Sequence, residues 1–322
     1  MTMRGKSTTL IPALVAAIAL VGAAIAPSSI AAPVPGSVCT LFPSDNVWNM
    51  RVTKLPVNTN SATWLRAMHA RTTNLHPDFG PPDYGMPYDT VSDAHASTSV
   101  EFTYADESDP GPYPFGPDIQ IEDGSDRHAI MVNTDTCTLY ELYSARWNGG
   151  SPTAGSGAIW DLASNALRPK TWTSADAAGL PILPGLVRVD EVQAGEIDHA
   201  IRFTVSCTRD RFLWPARHEA GVNNGRCPPM GARFRLGNRY DMSRFSQGAR
   251  VILRAMKRYG LIVADNGSDW FFQGTVDAGW TSALMDELKT VPARAFLAVD
   301  ESGCRVSRNS GAFAYGPSCP AP

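Results

Sequence analysis

The sequence predicts a mainly β fold, a β-sandwich or jelly roll with a few peripheral helices. Clusters of its 27 glycines and 25 prolines are spread along the whole chain, where they punctuate short strands more readily than long helices. Strands and helices do not alternate, and no Gly-rich phosphate loop follows a strand, which disfavours a doubly wound α/β fold. Hydrophobic residues make up 43% of the chain and charged residues 18%, so a disordered protein is excluded.

Residues 1–32 are expected to be a secretory signal peptide. Arg4 and Lys6 supply a positive start, residues 10–26 form an apolar run, and the small residues ending at Ala32 suit a signal peptidase. A membrane anchor is the alternative, because an apolar run of this length just crosses a thin bilayer. We therefore expect a secreted, extracellular protein in which residues 33–322 form a single β-rich domain.

The charge of the exported part argues against a nucleic-acid partner. Without Arg4 and Lys6, the 28 basic residues fall to 26 against 31 acidic ones, which gives a net charge of −5. A nucleic-acid-binding protein needs a basic surface to meet phosphates. No membrane partner is expected after signal cleavage, and the oligomeric state is left open.

Six cysteines follow the predicted signal peptide, and an even number in an exported chain indicates disulfides. The expected pairs are two local ones and one long one: Cys207–Cys227, Cys304–Cys319 and Cys39–Cys137. Each would stabilise the fold by about 2–4 kcal/mol. Free buried thiols are the alternative. No Cys-x-x-Cys pair occurs, so a zinc ribbon or a thioredoxin-type centre is not expected.

Six segments have the composition of strands: Ser99–Tyr104, His128–Val132, Leu139–Tyr143, Ile197–Val205, Ala232–Leu236 and Leu261–Ala264. A hairpin loop is expected at Asn133–Thr136. Three segments are expected to be helical: Ala62–Ala70 after a Ser61 cap, Gln247–Tyr259 between a Ser246 cap and Gly260, and Thr281–Val291.

The segment around Ile197–Val205 carries the main catalytic prediction. Alternation along a strand places Glu196, Asp198, Arg202 and Thr204 on one face. Carboxylates two residues apart on such a face lie about 6–7 Å apart, and each raises the other's proton affinity. A retaining glycosidase uses two carboxyl groups about 5–5.5 Å apart, and Arg202 would orient one of them or contact the substrate. The alternative is an exposed polar strand face with ordinary surface carboxylates.

The run Glu196-Ile197-Asp198 resembles the catalytic strand of laminarinase-like jelly-roll glycosidases. The resemblance implies that Glu196 is the nucleophile and Asp198 its assistant. The third carboxylate of that pattern falls at position 200, which is Ala200 here. The general acid would then come from elsewhere, such as Glu141 or Glu191.

Further segments resemble a family of secreted bacterial proteins of uncharacterised activity. They are spread over nearly all of residues 33–322: Asp126-Arg127-His128, Leu139-Tyr140-Glu141-Leu142, Ser164–Pro169 to Gly185-Leu186, Trp214–His218, Pro228–Gly231 and Ala264–Gly267. The resemblance implies one folded unit and export, and it implies no activity.

The histidines are a second group of candidate functional residues. His128 and His199 lie on predicted apolar strand faces, where a hydrogen-bonded core histidine is the ordinary interpretation. The alternative is that both imidazoles face one cavity with Asp126 or Asp265, as acid, base or metal ligand. His218 is the histidine expected to be most exposed. No His-x-His or His-Glu-x-x-His motif marks a metal site.

Aromatic and polar side chains suggest a substrate-binding surface. Trp214 and Trp270 would act as sugar-stacking platforms if exposed, and Asp265 with Asn266 would present polar groups at a strand end. Asp265-Asn266-Gly267 also suits a tight turn. The Pro-rich loops Pro77–Pro87, which contains Tyr84, and Asp106–Pro117 are either rigid surface loops or the rim of a cleft.

Together these features predict a secreted carbohydrate-active enzyme, a glycoside hydrolase or lyase, that acts on an extracellular polysaccharide without a cofactor. One alternative is a non-catalytic carbohydrate- or cell-wall-binding protein. A further alternative is a metal-dependent secreted hydrolase that uses His128, His199 and His218. No Gly-x-Ser-x-Gly elbow occurs, so an α/β-hydrolase esterase is not expected.

Overall fold

A computed structural model describes residues 1–2 and 33–322. The predicted signal peptide therefore lies outside the described residues, apart from Met1 and Thr2. The described chain is mainly β, as expected, with few helices. None of its helices is long and apolar enough to cross a bilayer.

The strands are short and are numbered in chain order: β1 (His76–Asp78), β2 (Asp89–Val91), β3 (Glu101–Phe102), β4 (Ala129–Asn133), β5 (Thr138–Tyr143), β6 (Thr153–Ala154), β7 (Ser156–Asp161), β8 (Ile201–Val205), β9 (Arg209–Phe212), β10 (Pro229–Met230), β11 (Arg233–Leu236), β12 (Leu261–Asn266), β13 (Phe271–Gln273) and β14 (Phe296–Val299). The α-helices are α1 (Ser61–Ala67), α2 (Val189–Ala194), α3 (Gln247–Arg258) and α4 (Ser282–Leu288).

The larger sheet has six strands in the order β1-β13-β8-β12-β11-β14. Its central pair, β8 and β12, is parallel, and β1 pairs with β13 in parallel, whereas the other neighbours are antiparallel. The smaller sheet has the order β2-β4-β5-β7, and β2 is parallel to β4. A jelly roll is built from antiparallel strands. The finer prediction of a β-sandwich or jelly roll is therefore not confirmed.

The two sheets share one hydrophobic core. Strand alternation sends Ile130 and Val132 of β4 into the same buried cluster as Phe203 of β8 and Ile252 of α3. The opposite face of β4, which includes Met131, is covered by a second and smaller cluster. Both faces of β4 are thus covered, which explains why all five of its residues are buried.

The helix predictions are largely confirmed. Helix α3 begins after Ser246, whose hydroxyl accepts a hydrogen bond from the Ala249 N–H, and Gly260 follows it with φ +81°. Helix α1 departs from its predicted cap. Asn60 is the residue before the helix, and the Ser61 hydroxyl instead accepts the Ala298 N–H of β14. Helix α2 was not predicted, because no side chain caps its start.

All three predicted disulfides are confirmed. Cys39–Cys137 spans 98 residues, whereas Cys207–Cys227 and Cys304–Cys319 span 20 and 15. The described chain contains no free cysteine. The long bridge ties the start of the described chain to the turn between β4 and β5.

The strand predicted over Ile197–Val205 is shorter than expected. Strand β8 begins at Ile201, because Gly195, with φ +90°, ends helix α2 and the chain needs residues 196–200 to reach the sheet. The prediction that Glu196 and Asp198 share a strand face with Arg202 and Thr204 is therefore wrong.

Candidate functional site

A cavity of about 410 Å³ opens beside the carboxyl ends of β8 and β12. Because these strands are parallel, both ends lie at the same edge of the sheet, which is where open sheets commonly bind ligands. Its volume lies within the range of small-molecule sites, about 300–1,000 Å³. Asp265 and Asn266 of β12 line it together with Ala175 and Ala177 from the segment that follows β7.

A β-bulge in β12 turns Asp265 towards this site. Val263 is paired with Phe203 and Asp265 with Thr204, which leaves Ala264 outside the register. Simple alternation would place Asp265 on the face of Val263, which is fully buried in the core. The extra residue instead places it on the face of Thr204, and bulges commonly re-aim a side chain in this way.

Behind Asp265 lies a buried ion pair. The Arg202 guanidinium donates two hydrogen bonds to the Asp176 carboxylate, from Nε at 3.0 Å and from Nη2 at 2.7 Å. Both side chains are fully buried. Burial would lower the pKa of Arg202, but the charge of Asp176 and its hydrogen bonds outweigh burial and raise it. Arg202 is thus held as a cation against the Asp176 carboxyl group.

Asp265 is held as a neutral acid by this environment. Burial, the negative charge of Asp176 and a hydrogen bond to the Asp176 side chain raise the pKa of Asp265 from 3.8 to about 8. Arg202 and the Asn266 N–H act in the opposite direction and do not cancel the rise. At neutral pH the carboxyl group therefore keeps its proton, in a position where it lines the cavity.

A second ion pair, between Glu122 and His128, lies nearby. The His128 Nδ1 is 2.6 Å from Glu122 Oε2, and its Nε2 donates to the Ala175 carbonyl at 3.1 Å. Burial alone would raise the pKa of Glu122 and lower that of His128. Their mutual hydrogen bond and charges outweigh burial, so the pKa of Glu122 is lowered and that of His128 is raised. Both ring nitrogens of His128 also face oxygen atoms, an arrangement that favours an imidazolium beside a carboxylate.

The remaining wall of the cavity is acidic and aromatic. Glu107, Asp126 and Tyr143 line it together with His218. Glu107 accepts the Thr173 N–H at 2.9 Å and lies 3.8 Å from His218 Nε2, while His218 Nδ1 hydrogen bonds with a backbone carbonyl. Among the described residues, no lysine or arginine lines this cavity.

The carboxylates of the sequence prediction lie elsewhere. Glu196 is exposed and pairs with Arg258 at 2.9 Å, and Asp198 accepts a hydrogen bond from the Tyr259 hydroxyl at 3.0 Å. Burial, with a contribution from Glu196, raises the pKa of Asp198. Neither residue lines the 410 Å³ cavity. Their catalytic role stays a prediction, and this cavity does not support it.

Glu141 and His199 are enclosed in the core. The Glu141 carboxyl group accepts the N–H groups of Ile182 and Leu183, each at 2.9 Å, and burial raises its pKa to about 7. His199 lies 3.2 Å from Glu191 and hydrogen bonds with the Ala200 carbonyl. These contacts anchor backbone segments, and neither residue lines the cavity.

The predicted aromatic platforms are not available to a sugar. Trp270 is fully buried, with its Nε1 donating to the Met68 carbonyl, and Trp214 is 9% exposed and donates to the Ser310 carbonyl. A stacking platform needs a free ring face, so the prediction of this role is wrong for both tryptophans. Tyr84 is exposed and its hydroxyl donates to Asp78. Asp265 and Asn266, by contrast, line the cavity, and Arg202 lies behind Asp265 in its ion pair with Asp176.

The predicted three-histidine metal site is not formed. Each imidazole faces its own glutamate: Glu122 for His128, Glu191 for His199 and Glu107 for His218. Within residues 33–322, no group of three His, Cys, Asp or Glu side chains is placed to hold a metal ion.

One site residue escaped sequence reasoning. Asp176 lies in an irregular segment, Ser174-Ala175-Asp176-Ala177, with no periodicity to mark it as buried. Glu107 belongs to the loop Asp106–Pro117, for which the rim of a cleft was one of the two interpretations, and it lines the cavity. The alternative interpretation of the histidines placed His128 and His199 in one cavity with Asp126 or Asp265. Both aspartates line this cavity, but with His218.

Comparisons with models of protein families, with curated proteins and with solved structures found no match to this chain. The resemblance to laminarinase-like glycosidases therefore rests on Glu196-Ile197-Asp198 alone. The site has to be interpreted from its own geometry.

Proposed function

We propose that this chain is an exported glycoside hydrolase that acts on an extracellular polysaccharide with Asp265 as its general acid. The observation that carries the proposal is a carboxyl group with a pKa of about 8 lining a 410 Å³ cavity. Glycosidases need such a protonated carboxyl group to donate to the departing oxygen. The proposal keeps the substrate class of the sequence prediction and replaces Glu196 and Asp198 as the catalytic pair.

We assign the role of second carboxyl group to Asp126, which lines the same cavity as Asp265. In the proposed reaction, Asp265 gives its proton to the glycosidic oxygen as the C–O bond breaks, and Asp126 removes a proton from the water that attacks the anomeric carbon. The two sugar products carry the elements of that water. The proton on Asp126 then passes through solvent and restores the acid form of Asp265.

The electrostatics of the cavity favour a hydrolase over a lyase. A lyase that acts on uronic acids must stabilise negative charge on its substrate, for which cationic side chains serve well. Glu107, Asp126 and Asp265 line this cavity, whereas the described residues place no lysine or arginine in its wall.

Export is part of the proposal. It is supported by the three disulfides, which persist in oxidising compartments, and by the signal-like composition of residues 1–32. N-terminal sequencing of protein recovered from the culture medium should begin at Pro33. Recovery with Met1 intact in a membrane fraction would instead support an anchor.

The catalytic test compares wild type with Asp265→Asn, Asp126→Asn and Glu196→Gln. Each protein is incubated with glucans, xylans, arabinans, chitosan and uronans, and reducing ends are measured. Loss of a general acid or base is expected to slow release about 100-fold or more in the first two variants. Glu196→Gln makes the matched carboxyl-to-amide change outside the cavity and should leave the rate unchanged.

Other outcomes point to other functions. Loss of activity in Glu196→Gln with full activity in Asp265→Asn would contradict the proposed acid and return the catalytic role to Glu196. Retention of one polymer by wild type without any release would identify a non-catalytic carbohydrate-binding protein.

A further inference from the structure

A second cavity, of about 270 Å³, adjoins the first. Asp126, Asp265 and Asn266 line both cavities. The proposed acid therefore lies between two chambers. If Asp265 protonates a glycosidic bond, the sugar units on the two sides of that bond would occupy different chambers.

The second chamber contains a buried acceptor with no partner. Gln273 of β13 lines it and is 3% exposed, and its Oε1 has no hydrogen-bond partner among the described residues. Its Nε2 donates to Asp78 Oδ2 at 3.2 Å, and turning the amide over would place two oxygens against each other. A buried acceptor of this kind is costly unless an O–H or N–H group meets it.

The charges of the second chamber disfavour an acidic ligand. Its two cations are already paired, Arg202 with Asp176 and His128 with Glu122. Asp78 and Asp126 also line it, and neither has a cationic partner in the described part of the chain. A carboxylate or sulfate entering here would meet uncompensated negative charge.

We infer that the second chamber is a sugar subsite of the same centre, on the opposite side of the scissile bond, and that it takes a unit without acidic groups. A hydroxyl or amine of that unit donates to Gln273 Oε1, which is enclosed in this structure, when the Gln273 side chain turns into the chamber. The inference rests on the proposed function and makes it more specific. It assigns Gln273 as a binding residue and excludes uronic-acid polymers as substrates.

The test measures binding in the full chain carrying Asp265→Asn, so that substrates are not consumed. The probes are hexasaccharides of cellulose, β-1,3-glucan, xylan and arabinan, a chitosan hexamer and hexagalacturonate, titrated by calorimetry. Adding Gln273→Met removes the acceptor and should weaken the tightest neutral or amino hexamer about tenfold. Gln193→Met makes the same chemical change at an exposed position of α2 outside both chambers and should shift Kd less than twofold.

A second variant tests the same chamber in case Gln273→Met does not fold. Ser268 is exposed and lines the second chamber, and within the described part of the chain only its backbone carbonyl makes a hydrogen bond, which it accepts from the Thr204 hydroxyl. Ser268→Trp should therefore fold normally, obstruct the chamber and weaken hexamer binding at least tenfold.

The outcomes separate this inference from the proposed function. Unchanged Kd values in both variants, with wild-type hydrolysis intact, would overturn the second subsite and leave Asp265 as the acid. Tightest binding of hexagalacturonate would also overturn it. Dependence of Kd on Gln273 without any hydrolysis would remove the catalytic proposal and retain the subsite as a binding site. Binding of none of the six probes would overturn both.

Discussion

Replacing Asp265 with asparagine is expected to stabilise the protein at neutral pH while removing the proposed activity. Unfolded Asp265 has the ordinary pKa of 3.8 and releases its proton by pH 7, whereas folded Asp265, with a pKa of about 8, keeps it. The folded state thus binds the proton more tightly. The wild-type free energy of unfolding therefore falls as the pH rises from about 4 to about 8.

The magnitude follows from these two pKa values. At pH 7 the wild type is about 4 kcal/mol less stable than a protein in which this side chain is permanently neutral. The amide introduced by Asp265→Asn is neutral, can donate to Asp176, and can keep the hydrogen bond from the Asn266 N–H, which is 2.6 Å from Asp265 Oδ1 in the wild type. It gives up the longer 3.3 Å contact with the Ala177 N–H, worth about 1 kcal/mol. We expect a net gain of about 3 kcal/mol.

The assay is urea unfolding of both proteins at pH 4, 5.5 and 7. The gain should be largest at pH 7 and should nearly vanish at pH 4. At that pH the folded carboxyl is protonated, and partial ionisation in the unfolded state, where its pKa is 3.8, costs the wild type only about 0.6 kcal/mol. Glu196→Gln, an exposed substitution, should change the free energy of unfolding by less than about 0.5 kcal/mol at each pH. A variant that is less stable than wild type at pH 7, or a gain independent of pH, would refute the reasoning.

Three further predictions concern the same framework. Asp176→Ala should destabilise the fold by about 3–5 kcal/mol in urea unfolding, because it leaves the buried Arg202 guanidinium without its counter-ion. Replacing both Cys39 and Cys137 with alanine should lower the free energy of unfolding by about 2–5 kcal/mol, because the bridge closes a 98-residue separation. Hydrolysis of the substrate found in the polymer panel should decline above about pH 8, where Asp265 loses its proton, as a pH–rate profile will measure.

Matched changes serve as controls. Asp190→Ala removes an exposed carboxyl group from Arg188, which keeps its buried partner Glu191, and should change stability by less than about 1 kcal/mol. Equal effects of Asp176→Ala and Asp190→Ala would contradict the buried ion pair. Wild-type stability after loss of the long bridge would show that the core alone holds the N-terminal segment. A rate that stays flat to pH 10 would exclude Asp265 as the acid.

Local patterns explain what the sequence predicted well. Helix α3 has a Ser246 cap, one apolar stripe and Gly260 at its end, and all of these signals lie within a few residues of one another. The turn at Asn133–Thr136 and the two short disulfides are local in the same sense. Such features follow from nearest-neighbour geometry, so a single sequence suffices to predict them.

The candidate site depends on contacts that no local pattern records. Alternation alone assigns Asp265 to the wrong face of β12, since the bulge at Ala264 leaves no trace in the composition. The pairing of Arg202 with Asp176 joins a strand to an irregular segment 26 residues away. The prediction of a strand face through Glu196 and Asp198 is wrong for a related reason. Strand-like residues continue from β8 back towards Gly195, whereas helix α2 already occupies the preceding segment.

A raised pKa does not by itself identify a catalytic acid in this protein. Burial also raises the pKa values of Glu141 and Glu301 to about 7, yet Glu141 holds the backbone N–H groups of Ile182 and Leu183, and Glu301 faces the buried Arg233. Neither lines either cavity. Asp265 differs because its proton is held at the junction of two chambers, where a substrate can reach it. Access combined with a retained proton, rather than the pKa alone, is therefore the argument for its role.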